Sequence, residues 1–221
     1  MANMHASIQP EDPSIIPENK FFNRIPSMIE SMPDRFEDSK KQALYEKVIP
    51  PKAMLQNIFI NIYNEMVNLE SPIVFCHNDL LLNNIVYDED SGVASFIDYE
   101  YACYNYQSFD ISDHFTEFAG VDDCDFSLYP EREFQLWWLK TYLEFYRDKK
   151  KLPPPNENDV ERLYVQVNLT AQVPHFFWAV WAVIQARYSS IDFDFLQYAV
   201  DKYQEFEKIK KKFSQLHLPM V

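Results

Sequence analysis

Glycine is nearly absent from this chain: of 221 residues, only Gly92 and Gly120 are glycine, where average usage of about 7% would supply roughly 15. A glycine-rich phosphate loop needs several glycines close together, so this pair excludes one within the chain. Cysteine is scarce as well. Cys76, Cys103 and Cys124 form an odd set without metal-ligand spacing, which excludes a disulfide framework or a zinc site and makes the reducing cytoplasm the expected compartment. Long apolar runs are missing: the most apolar stretch, FFWAVWAVI at 176–184, has nine residues, whereas a membrane span needs roughly 20. It reads as a buried helix, and no membrane span is expected. The opening MANMHASIQPEDP has neither the basic nor the apolar region of a signal peptide. Positive charge is in deficit, with 20 bases against 34 acids and a net charge of -14, which argues against nucleic acid or an anionic membrane as the main partner. A cationic small substrate is compatible, although solubility is the plainer account of the bulk charge.

What is present is enough for one sizeable core. The chain is 47% hydrophobic and 24% charged, with no block of like charges that would mark a disordered tail. Pro10, Pro13 and Pro17, and later Pro50 and Pro51, punctuate short helices and connections in the first fifty residues. From Lys52 to Leu69, apolar residues at three- and four-residue spacing (Leu55, Ile58, Phe59, Ile62, Met66, Leu69) predict an amphipathic helix with Pro51 in its first turn. Short β-branched and aromatic runs at 73–76, 85–87 and 93–97 predict a strand followed by a hairpin, whose turn DEDSG has Gly92 for a positive φ. A helix is predicted over 131–149, ended by KKKLPPPNEND. Asp159 is the expected N-cap of a helical stretch reaching Gln185, with a kink or boundary at Pro174. A last helix is predicted over about 194–217.

The chemistry concentrates in HNDLLLNNIVYDEDSGVASFIDYE, at 77–100. Phosphoryl transfer needs a carboxylate near the acceptor hydroxyl and hard oxygen ligands for Mg²⁺ on the phosphates. Asp79 can take or orient the hydroxyl proton, Asn84 can offer an amide oxygen to the metal, and the hairpin can bring Asp98 back beside Asn84. The pattern H-x-D-x-x-x-x-N, then a hairpin, then an aspartate is the kinase catalytic-loop arrangement, with Ile97-Asp98-Tyr99 where protein kinases have D-F-G. On residue types alone, an alternative stays open: Asp79 and Asn84 cap a turn, Asp98 ends a strand, and His77 is a core histidine. Trp178 and Trp181, three apart, share a helix face that could form half of an aromatic box for a cation, yet aromatic helical stripes usually belong to a core.

VFCHNDLLLNNIVYD and FIDYEYACYNYQSFDISDHFTEFAGVDD resemble the choline and ethanolamine kinases, and EFAGV, LYPERE and FFWAVWAVIQARYSSIDFDFLQYA resemble their ethanolamine branch. The resemblance covers nearly the whole chain. It implies an α+β, mainly helical fold: the C-terminal lobe of a protein-kinase-like fold with a short β-hairpin at the active site, as a single lobe over 1–221. Within it, 73–100 would be catalytic loop and hairpin and 101–217 the helical substrate region. The implied reaction moves the γ-phosphate of MgATP to the hydroxyl of ethanolamine, the first step towards phosphatidylethanolamine, so that ATP and Mg²⁺ are the expected cofactors. By match of position, Asp79 would be the base, and Asn84 and Asp98 would hold magnesium. Glu100, Tyr101, Glu117, Trp178, Trp181 and Tyr198 would surround the substrate.

A primary ammonium donates hydrogen bonds where a quaternary one cannot, so a carboxylate such as Glu117 should matter more for ethanolamine than for choline. Ser112 and Asp113 stand where the family usually has glycine and asparagine, which adds a charge near the site. Phe195 stands where choline kinases tend to have tyrosine. The family's small lobe carries a glycine-containing loop over the phosphates and a strand lysine; the chain is expected to begin after both. A truncated, non-catalytic form that binds substrate or a full-length partner, a homodimer, and a choline kinase are the alternatives.

Overall fold

The computed structural model describes residues 1–219 apart from 11 and 13; Pro13, the middle of the first proline group, lies outside the described residues. Nine α-helices and two small antiparallel sheets follow in chain order among these residues. The first four helices are α1 (Ala2–Ser7), α2 (Lys20–Ser31), α3 (Ser39–Val48) and α4 (Lys52–Asn68). α4 matches its predicted range. Pro51, however, is the N-cap residue and not part of the first turn: its carbonyl accepts from the amides of Met54 and Leu55.

The strands are β1 (Ile73–Cys76), β2 (Ile85–Asp88), β3 (Val93–Phe96) and β4 (Cys103–Tyr106). β2 and β3 form the predicted hairpin, with Ile85 opposite Phe96 and Asp88 opposite Val93. Asp88 organises its turn: the side chain accepts from the amides of Asp90 and Ser91, its carbonyl accepts from Gly92, and Gly92 takes φ +67°. β1 pairs with β4, Cys76 opposite Cys103. This pairing was not anticipated, since nothing local in CYNY names a partner some thirty residues earlier.

β4 runs directly into α5 (Gln107–Thr116), a helix buried at every position. The β1–β4 pair therefore brings the chain leaving Cys76 alongside the start of α5. The remaining helices are α6 (Arg132–Lys149), α7 (Glu157–Thr170), α8 (Gln172–Tyr188) and α9 (Phe195–Phe213).

Two helix starts differ from expectation. Asn156, not Asp159, caps α7: its side chain accepts from the Asp159 amide while the Asp159 carboxylate accepts from the Asn156 amide. This reciprocal box satisfies two helix-end donors at once, so the helix begins as soon as the chain leaves the proline run. The break between α7 and α8 falls at Ala171, three residues before Pro174. Pro174 occupies the first turn of α8, where an amide proton has no intrahelical acceptor to lose. Taken together, 157–188 is long and apolar enough to cross a membrane, but 83% of its apolar window is buried against other helices, as a core element would be.

That core has two parts. One gathers α2, α4, α8 and α9 around Phe21, Phe22, Phe176, Phe177 and Phe206. The other gathers α5, α6 and α7 around Phe115, Leu139, Leu163 and Val167. The loop after β1 and the faces of α5, α8 and α9 meet where these two parts adjoin.

Candidate active site

Residues 77–80, the start of the predicted catalytic loop, are anchored on one side by a single face of α5. Asp110 is fully buried and accepts from the backbone amides of His77 (3.1 Å) and Asn78 (2.6 Å) and from His5 Nε2 (2.8 Å). Asp113 accepts from the Leu80 amide at 3.0 Å, and His114 Nδ1 donates to the Leu80 carbonyl at 3.0 Å. Positions 110, 113 and 114 share a helix face because they are three and four apart. Burial alone would raise the carboxyl of Asp110, but the hydrogen bonds from His5, Asn78 and His77 outweigh it and hold the group below its ordinary range. Asn78 adopts φ +67°, a left-handed conformation that asparagine tolerates better than most residues. Its side chain donates to the Tyr101 carbonyl and accepts from Asn105.

Asp79 is thereby fixed at the floor of a cavity. It is only 9% exposed, and its carboxyl is pushed up to about 7, first by burial and then by the charges of Glu117 and Asp98. Asn84 Nδ2 donates to the Asp79 carbonyl (2.9 Å) and to Oδ2 (3.2 Å). The return strand of the hairpin is tied to the same loop: the Ile97 amide donates to the Asn84 carbonyl at 3.0 Å, and His77 Nε2 contacts the Ile97 carbonyl at 2.9 Å. The next residue, Asp98, has φ +62° and is exposed. The structure thus brings Asp79, Asn84 and Asp98 together, as their spacing predicted. With its amide nitrogen engaged, Asn84 keeps Oδ1 for another partner, and with the Asp98 carboxylate this makes a hard-oxygen donor set suited to Mg²⁺.

Beside Asp79 opens a cavity of about 480 Å³, lined also by Glu100, Tyr101, Glu117, Trp178, Trp181 and Tyr198. These are the six residues expected around a substrate, and all six meet here. The aromatic rings form a continuous wall: Tyr101 to Trp178 at 5.3 Å, Trp178 to Trp181 at 5.5 Å and Trp181 to Phe195 at 5.7 Å between centroids. Trp178 also belongs to the main core, so it serves the core and lines the cavity at once. Asp122, Asp192 and Phe193 add to the lining and were not foreseen.

Two partners of the wall were missed as such. Asp113 accepts from Trp178 Nε1 (3.0 Å) as well as from Leu80; burial first, then the charges of Glu117 and Asp79, raise its carboxyl well above the ordinary range. Lys202, wholly buried, donates to Glu117 Oε1 at 2.7 Å. Its position in α9, four residues after Tyr198 and four before Phe206 on the buried face, is the signal that could have found it: a lysine on an apolar stripe needs a buried partner.

Chemically, the arrangement offers a proton acceptor, a metal-competent oxygen pair and an acid-and-aromatic cavity suited to a small organic cation. The sequence profile of the choline/ethanolamine kinase family matches residues 1–207. The chain is 42% identical to the Drosophila melanogaster ethanolamine kinase over 98% of its own length and 42% of that protein's. It is 51% identical to human ethanolamine kinase 2 over 77% of its length and 43% of that protein's. It therefore spans about half the length, or less, of these curated relatives. Among solved structures, a Plasmodium vivax ethanolamine kinase superposes with a TM-score of 0.78 at 23% identity, covering 96% of this chain and 58% of that one; at that identity the likeness is one of fold.

Proposed function

The chain belongs to the choline/ethanolamine kinase family, and from that premise we propose that it is the large lobe of an enzyme that phosphorylates ethanolamine from MgATP. The observation that carries this reading is the placement of Asp79, which stands at the floor of the acid-and-aromatic cavity while being hydrogen-bonded to Asn84. An amino alcohol in the cavity would set its ammonium among the rings and carboxylates and its hydroxyl towards Asp79. Asp79 then orients that hydroxyl and takes its proton as the phosphoryl group is transferred. The raised carboxyl suits this role, since a general base is most effective when it titrates near the working pH. Asn84 Oδ1 and Asp98 would hold Mg²⁺, which when bound neutralises charge on the phosphates.

Glu100, Tyr101, Glu117, Trp178, Trp181 and Tyr198 bind and orient the amine in this reading. Ethanolamine is favoured over choline by the cavity's carboxylates, which accept hydrogen bonds that only a primary ammonium can donate. The reaction would serve phosphatidylethanolamine synthesis, in the cytoplasm.

The test is ethanolamine-dependent release of ADP by this chain and by its Asp79→Ala variant. A fall of about 10²- to 10⁴-fold is expected on losing the base; equal rates would remove Asp79 from the chemistry. Choline run in competition decides the substrate, and a clear preference for choline would overturn that choice. Calorimetric binding of ethanolamine without binding of MgATP would instead identify a binding module.

A further inference from the structure

Glu117 meets a cation on the side away from the cavity. Its Oε1 accepts from Lys202 at 2.7 Å, and among the described residues no hydrogen bond occupies its Oε2. Glu117 and Tyr198 both line the cavity, whereas Lys202 does not. The Lys202 ammonium lies 5.2 Å from the centroid of the Tyr198 ring. Lys202 therefore stands behind the wall, backing one carboxylate and one ring that the amine would meet from the front.

The neighbourhood explains why a backing cation matters. Glu117 is 4% exposed and acts electrostatically on both Asp79 and Asp113, two further buried acids. A buried carboxylate with acids for neighbours and no counter-charge is costly to keep in place. The Lys202 charge offsets that cost from behind, and its N–H occupies Oε1, which leaves Oε2 as the oxygen for a ligand.

We propose that Lys202 is a specificity-determining positioning residue, which backs Glu117 so that its second oxygen accepts a hydrogen bond from the N–H of a primary ammonium. The proposal rests on the ethanolamine reading above and goes beyond it by assigning the choice between primary and quaternary amines to a residue that does not touch the substrate. A quaternary ammonium has no N–H to donate and is held by the rings and by net charge alone. It should be nearly indifferent to whether Glu117 accepts.

The experiment titrates ethanolamine and choline separately into the wild-type chain and the Lys202→Met, Lys202→Gln and Lys202→Arg variants by calorimetry, with circular dichroism to establish folding. Both neutral variants are expected to bind ethanolamine about tenfold more weakly or worse, the scale of one charge-assisted hydrogen bond, with choline changed less than about threefold. Lys202→Arg restores the wild-type preference because it keeps the charge. Glutamine can still donate to Glu117 without charge, so it reports even where the methionine variant does not fold. An equal loss for both amines, or an unchanged preference in a folded neutral variant, overturns the proposal. So does failure of both neutral variants to fold, which would make the pair purely structural. A wild-type chain that binds neither amine defeats the ethanolamine reading itself, an outcome distinct from the others.

Discussion

The side of the site proposed for the amine and the side proposed for the metal are built on opposite plans. On the amine side, Asp113, Glu117, Trp178 and Lys202 are buried and joined by hydrogen bonds across α5, α8 and α9. On the metal side, Asp98 is exposed and follows a two-stranded hairpin whose Val86, Tyr87 and Val93 are exposed as well. The Ile97 backbone, bonded to the Asn84 carbonyl and the His77 ring, and the Phe96 ring packed on His77 tie that hairpin to the loop. Polar groups inside a low-dielectric interior are strongly coupled and costly to leave unpaired, whereas solvent screens the same groups at a surface. The half proposed for the amine is thus shaped by the fold itself, and the half proposed for the metal stays open to solvent.

The largest test of this contrast removes the anchor beneath both halves. Asp110→Ala would leave two backbone amides and His5 without their buried acceptor. A loss of about 3–5 kcal/mol is expected, the scale for breaking a buried charged network from one side, and urea unfolding measures it. A loss below about 1 kcal/mol would mean that the loop is held in some other way.

A second test reverses the usual sign. A carboxyl moved from 3.8 to about 7 leaves the folded chain holding a proton that the unfolded chain has already released. Stability therefore falls as pH rises from about 4 to about 7 and is level above that. By this linkage the ionisation of Asp79 costs the fold about 4 kcal/mol at pH 8. Asp79→Asn, which can still accept from Asn84, should make the chain more stable at pH 8, and the gain should shrink by about 2–3 kcal/mol at pH 5. Parallel urea titrations at the two values decide it, and a gain independent of pH would show that Asp79 is not the titrating group.

The same contrast explains what could be read from sequence. Asp79, Asn84 and Asp98 lie within twenty residues, on a hairpin whose turn is written locally in DEDSG, so their convergence follows from short-range rules. The edges of α4, α6 and the hairpin were legible for that reason. Lys202 and Glu117 are 85 residues apart, and His5 and Asp110 are 105 apart. No periodicity names such partners; only a polar residue on an apolar stripe hints that one exists. Asp113 was noticed as an added charge, but its two acceptor bonds, to Leu80 and Trp178, depend on how α5, α8 and the loop pack. The box in front of α7 was misread by three residues because Asn156 and Asp159 are both good caps, and their reciprocal bonding decides the order.

The smallest effect should come from repeating the aspartate-to-asparagine exchange on the open side. Asp98 is exposed and in the left-handed region at φ +62°, a conformation asparagine also accepts without added strain. Asp98→Asn should therefore move Tm by less than about 2 °C, as for most surface substitutions, where Asp79→Asn shifts stability by kilocalories. Its effect should fall instead on MgATP, whose binding weakens when a charged metal ligand becomes a neutral one. Calorimetry of MgATP with the folded variant checks this. If Asp98→Asn changed stability as much as Asp79→Asn does, the open side would be as tightly coupled to the core as the amine side, and the two halves would not differ in kind.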